Sequence, residues 1–158
     1  MRIVSVLVTL ALLIAAAVTD LNRRKIPNEV TLGVIAAGLV VVPFFVPWSS
    51  FLPRLLLMVL IYAVYDRFMG GGDAKLLMAI CILNGALAAM VGFAVACMAM
   101  TAYAFYKDRE GTRIMLGELW ASLRSLNLAG YKPAGPKYPL SPFLLAGYLA
   151  VLVMGMIA

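Results

Sequence analysis

The stretch from Lys75 to Tyr106, KLLMAICILNGALAAMVGFAVACMAMTAYAFY, decides how the chain is laid out. As one helix its 32 residues would reach about 48 Å, too long for one crossing of a hydrocarbon layer of roughly 30 Å and too short for two full ones. Asn84-Gly85 is the one strong turn signal inside it. The flanking charges choose between the alternatives, because cytoplasmic loops of membrane proteins collect Lys and Arg. With two crossings, Arg23, Arg24, Lys25, Arg67, Lys75, Lys107, Arg109, Arg113, Arg124, Lys132 and Lys137 share one side, and only Arg2 and Arg54 lie on the other. With one crossing, the six basic residues from Lys107 to Lys137 change sides and the bias becomes 5 against 8. The charges therefore predict two helices, about 75–83 and 86–106, the first short, tilted or in thinned bilayer.

Composition supports the bilayer as solvent. The chain of 158 residues is 65% hydrophobic and 13% charged, with a mean hydropathy of +1.01; soluble domains are roughly 45–50% apolar and about 25% charged. Further apolar runs predict spans at about 3–19, 30–45, 55–68 and 140–157. The first could be a signal peptide, with Arg2 before it and Ala15-Ala16-Ala17 as a cleavage site, but the informative residues that follow it favour a retained helix. Asn28 is suited to cap the second. Residues 112–127 carry Met115, Leu116, Leu119, Trp120 and Leu123 at helical spacing opposite Arg113, Glu118 and Ser122. That pattern predicts an amphipathic helix on the cytoplasmic membrane surface, or else a lid packed on the bundle. The expectation is an all-α polytopic membrane protein. Six transmembrane helices and one interfacial helix would form a single domain over 1–158, both termini outside the cytoplasm of a cell's inner membrane.

The net charge of +6 follows from the topological bias and gives no reason to expect nucleic acid. With no histidine, Ser-His and Cys-His nucleophile pairs and His-ligated metals are excluded. Cys81 and Cys97 lie sixteen residues apart in apolar stretches and read as core packing. No metal or cofactor is expected.

Hydrolytic chemistry would then rest on carboxylates, Lys, Ser or Tyr, and there are only seven acids to place. Asp108, Glu110 and Glu118 stand among basic residues and read as solvated charges, and Glu29 suits the first turn of a helix. Asp20 ends the first span and Asp73 opens the fourth, so both lie at the cytoplasmic mouth. Two carboxylates held close do not both ionise easily: one keeps a proton as general acid while the other activates water. Alternatively they merely end helices beside Arg23 and Lys75. Asp73 follows Gly70-Gly71-Gly72, which reads either as a loop open to an extended peptide or as a tight interhelical turn.

Gly70-x-Gly72-Asp73-x-Lys75-Leu76 resembles the GxGD signature of intramembrane aspartyl proteases in the form found in type IV prepilin peptidases. Asp20, six residues before Ile26-Pro27-Asn28, is similar to the second element of that family. Pro139, Pro142-Phe143 and Gly147 extend the resemblance to the final helix. The resemblance implies an aspartyl endopeptidase that removes the leader of type IV pilin-like precursors at the cytoplasmic membrane face. Asp20 and Asp73 would be catalytic, and Gly70, Gly72, Lys75, Ile26, Pro27 and Asn28 would be motif or substrate-positioning residues. Longer family members carry an N-terminal cysteine zinc motif associated with methylation. Its cysteines are not in this sequence, so N-methyltransferase activity is not expected.

Two other classes compete. A small proton-coupled transporter or channel subunit would use the same acids as carriers, and would hold them near mid-bilayer. A non-catalytic assembly scaffold would gain nothing from three glycines beside an acid. Tyr65-Asp66 is similar to the Tyr-Asp motif of presenilin-like GxGD proteases but lies only seven residues before Asp73, and reads as the end of the third helix, paired with Arg67.

Overall fold

The structure, a computed structural model, describes residues 2–23, 28–68, 71–124 and 139–155. These are almost wholly helical: α1 (Arg2–Arg23), α2 (Asn28–Val41), a 3-10 turn (Val42–Phe44), α3 (Trp48–Phe68), α4 (Gly71–Asn84), α5 (Ala86–Lys107), α6 (Arg109–Arg124) and α7 (Ser141–Val153). No strand occurs among the described residues.

The centre of the bundle is α4, with α1, α2, α3 and α5 packed around it. Leu76 to Ile82 are all buried, as expected of a helix apolar on every side. At 14 residues it is about 21 Å long. Its middle, Leu76 to Ile82, is enclosed by these neighbours, while its first residue, Gly71, is exposed. It stops at Asn84, and Gly85 has φ +103°, a conformation that L side chains rarely adopt. The chain reverses there into α5.

The helix limits depart from the expected spans at several places. α3 begins at Trp48 and runs through Pro53, whereas the sequence reading starts the span at Leu55. Pro53 is the sixth residue of the helix, beyond the four N–H groups that lack intrahelical partners, so it withholds the N–H that would otherwise bond the Ser49 carbonyl. Arg54 adds a tertiary anchor: it is buried, and its Nη1 donates to the Ile82 carbonyl at 2.8 Å, satisfying an acceptor near the end of α4. The second apolar run leaves α-helix at Val41, where Pro43 tightens the chain into the 3-10 turn. α6 ends at Arg124, and 125–127 of the expected amphipathic helix lie outside the described residues.

Asp108 is not a freely solvated charge. It sits between α5 and α6 in extended conformation, and its Oδ1 accepts from the Gly111 N–H at 3.0 Å. Capping an otherwise unpaired donor at a helix start outweighs full hydration for this carboxylate.

α5 and α7 approach most closely at Gly92 and Gly147. A Cβ on Gly147 would run into the backbone of Gly92, so the contact depends on glycine, as do many close crossings between membrane helices. The outside of the bundle is as apolar as its centre. Ile3, Leu7, Ile14 and Val18 on α1 and Leu52, Leu56, Val59 and Leu60 on α3 are all exposed. Two helices, over Ile3–Asn22 and Ala86–Lys107, are long and apolar enough to cross a membrane; those over Asn28–Phe44, Trp48–Ala63 and Ser141–Val153 are apolar but shorter.

Candidate active site

A polar cluster at one end of the bundle fixes the position of two acids at the other. Asn84 Nδ2 donates to Thr9 Oγ1 at 2.6 Å, and the Tyr148 hydroxyl donates to Asn84 Oδ1 at 3.0 Å. The Thr9 hydroxyl donates in turn to the Ser5 carbonyl at 2.8 Å. Thr9, Asn84 and Tyr148 are buried, and each of the cited bonds satisfies a group that would be costly to leave unpaired in apolar surroundings.

Eleven residues separate Thr9 from Asp20 on α1, and eleven separate Asp73 from Asn84 on α4. That interval is about three helical turns, or roughly 16 Å. The helices run antiparallel, so equal intervals bring Asp20 and Asp73 to one level, and near-whole turns keep them on the facing sides. The carboxylates are near enough for the charge of Asp20 to act on Asp73.

Their surroundings differ. Asp20 Oδ2 accepts a hydrogen bond of 2.6 Å from Ser141 Oγ at the start of α7. Asp73 Oδ1 is buried and has no hydrogen-bond partner among the described residues. Asp73 stands in the first turn of α4, ahead of the apolar stretch 75–83. Burial first, and the negative charge of Asp20 second, push its carboxyl up to about 6. A helix start ordinarily favours a carboxylate; here desolvation outweighs that preference. The arrangement offers a proton-holding carboxyl beside a second carboxylate that accepts hydrogen bonds, the requirement for acid–base work without a metal.

The other motif positions are partly in view. Gly71 and Gly72 are the first two residues of α4, which corrects the reading of a glycine loop leading to Asp73. A glycine in a helix costs about 1 kcal/mol relative to alanine, a cost that the packing around α4 can offset. Lys75 Nζ donates to Asn28 Oδ1 at 2.9 Å, tying the first turn of α4 to the first residue of α2. Asn28 thus has a tertiary partner for the side chain expected to cap its own helix. Gly70, Ile26 and Pro27 lie outside the described residues. Asp66 belongs to the last turn of α3. Among the described residues no group of three or more His, Cys, Asp or Glu is placed to hold a metal ion.

Ser141 escapes sequence reasoning. In Leu140-Ser141-Pro142-Phe143 a serine reads as a helix-start residue, and its partner lies 121 positions away. Thr9 and Tyr148 are equally silent, since a single polar group in an apolar run does not declare which helix it faces.

No curated protein and no solved structure matches the chain. The sequence model of the type IV leader peptidase family matches residues 7–105, a segment that contains both acids, Asn28 and Lys75. On that match the chain belongs to the type IV leader peptidase family.

Proposed function

We propose that the protein is an aspartyl endopeptidase that cuts the leader from type IV pilin-like precursors at the cytoplasmic membrane face. The carrying observation is the unequal pair: Asp20, held by a hydroxyl donor, beside Asp73, whose Oδ1 is buried without a partner among the described residues and whose carboxyl is raised toward the protonated form. In this reading Asp20 takes a proton from water as the water oxygen bonds to the scissile carbonyl carbon. Asp73 gives its proton to the carbonyl oxygen. Collapse of the tetrahedral intermediate breaks the C–N bond: the leaving amine receives the proton taken up by Asp20, and one hydroxyl proton of the intermediate returns to Asp73 as the carboxyl product forms.

The link from Lys75 to Asn28 supports the same reading, since it joins the two halves of the family motif across α2 and α4. The apolar exterior of α1 and α3 supports burial in a bilayer, and the distribution of Lys and Arg supports six spans within α1 to α5 and α7, the fourth over 75–83, with both termini outside the cytoplasm and α6 on the cytoplasmic side. A proton carrier needs acids in mid-membrane, whereas both of these lie within three residues of a helix end.

Co-expression with a candidate precursor tests the proposal through the size shift of the precursor on a gel. Asp20→Asn and Asp73→Asn are each expected to abolish the shift while accumulating normally, and the double variant to be little worse, because members of one catalytic unit are non-additive. Asp66→Asn is expected to keep at least about a tenth of the activity, a loss of no more than roughly 1.4 kcal/mol. Near-normal turnover in either dyad variant refutes the assignment.

A further inference from the structure

Resting on the aspartyl peptidase reading, we propose that Ser141 is a positioning residue of the dyad. From the start of α7 its hydroxyl holds Asp20 as the proton-accepting partner and leaves Asp73 as the proton donor.

The hydroxyl has no local duty. Leu140 is the residue before α7, and its side chain makes no capping bond; Pro142 follows Ser141 and has no N–H to offer. Ser141 is fully buried, at 0% exposure, and its Oγ lies 2.6 Å from Asp20 Oδ2. That is the range of an O–H donor on an ionised oxygen. A serine hydroxyl carries a single proton, and here it is directed at Asp20. Asp73 Oδ1 has no such donor. In a dyad that shares one proton, a donor fixed on one side favours negative charge on that side.

The geometry is held from outside the site. Ser141 and Tyr148 are seven residues apart on α7, two turns along one face. Tyr148 bonds to Asn84 in the buried polar cluster, while Gly147 locks α7 against α5. Ser141 therefore meets Asp20 as part of a helix fixed at two other points. Preorganisation of this kind is what a catalytic carboxylate requires.

The test uses the full chain in lipid nanodiscs with a cleavable pilin-like precursor, and follows kcat and KM against pH. Ser141→Ala is expected to accumulate normally and to lower kcat about ten- to a hundredfold, the scale of one hydrogen bond to a charged group. KM should stay within about twofold, because the bond is not to substrate. The acid limb of the profile should move to higher pH, since the coupled dyad loses a donor that favours its charged form. Ser141→Thr keeps the hydroxyl and should restore the limb. Ser141→Cys, of similar volume but a weak donor, should follow the alanine variant, and it serves should that variant accumulate poorly. An unmoved acid limb with near-normal kcat in Ser141→Ala or Ser141→Cys overturns the proposal, as does a shifted limb in Ser141→Thr. Asp20→Asn in the same assay separates the two levels. If it is inactive while Ser141→Ala is normal, only the role of Ser141 fails; if it is active, the dyad itself fails.

Discussion

Asp20 and Asp73 are chemically identical side chains at one level of the bundle, and what distinguishes them is what each touches. Asp73 binds its proton more tightly in the folded chain than an exposed aspartate does, because burial penalises its charge and Asp20 adds repulsion. The sign for stability follows: its contribution is complete below about pH 4 and is lost as pH rises through about 6. Activity should follow the same proton. If Asp73 must be protonated to donate, kcat/KM falls on the alkaline side with an apparent pKa of about 6, a value that belongs to the coupled dyad. A kcat/KM profile for the purified enzyme that stays flat between about pH 5 and 8 would falsify this. Both acids could be singled out in the sequence, since carboxylates at the ends of apolar spans are few. Their inequality could not, because it comes from Ser141, 121 residues from Asp20, and from packing around Asp73. The role of Asp108 is hidden for a related reason: its cap depends on backbone geometry that neighbouring charges do not reveal.

At the scale of elements, the sequence is most informative where one residue type has one physical use. Asn84-Gly85 marks a reversal because a positive φ suits glycine. Gly70-Gly71-Gly72 misleads, because low helix propensity suggests a loop, yet α4 is already helical at Gly71; tertiary packing overrides a preference of about 1 kcal/mol per residue. Gly147 has a third use, the close crossing of α5 and α7. Gly147→Ala would place a Cβ against the backbone of Gly92, which cannot rotate away. The helices must separate, at the roughly 1–3 kcal/mol typical of overpacking, and Ser141 would shift with α7. The expected outcome is a lower Tm in thermal unfolding together with reduced cleavage. Gly117→Ala on α6 is the control: nothing lies within 4 Å of the added Cβ, so a helix-favouring substitution should be neutral or slightly stabilising. Equal Tm values for the two variants would refute the role given to the crossing.

Over the described residues, apolar side chains both fill the core and cover the outside, and a few polar groups are enclosed among them. Thr9, Asn84, Tyr148 and Ser141 are buried, while leucine, isoleucine and valine cover α1 and α3. Long unbroken apolar runs make the helical class legible, because a spanning backbone must be satisfied within helices or a closed barrel, and barrel strands alternate apolar with polar residues. They do not reveal that α4 is the central helix, since a helix apolar on every side fits many neighbours equally well. The proposed six spans would assign a side to each loop, and the charges are the argument for them: on that placement eleven of the thirteen basic residues would share one side, the bias expected of cytoplasmic loops. In a variant with Cys81 and Cys97 replaced, single cysteines at Asn22, Ala121 and Ser49 sample both sides from exposed positions. An impermeant thiol reagent added to intact cells should label Ser49→Cys and spare Asn22→Cys and Ala121→Cys until the membrane is opened. The position on α6 decides between the alternatives. If α4 and α5 made a single crossing, α6 would lie on the same side as Ser49, and Ala121→Cys would react from outside. Labelling there would overturn the antiparallel placement of α4 and α5 across the membrane, and with it the cytoplasmic position proposed for α6.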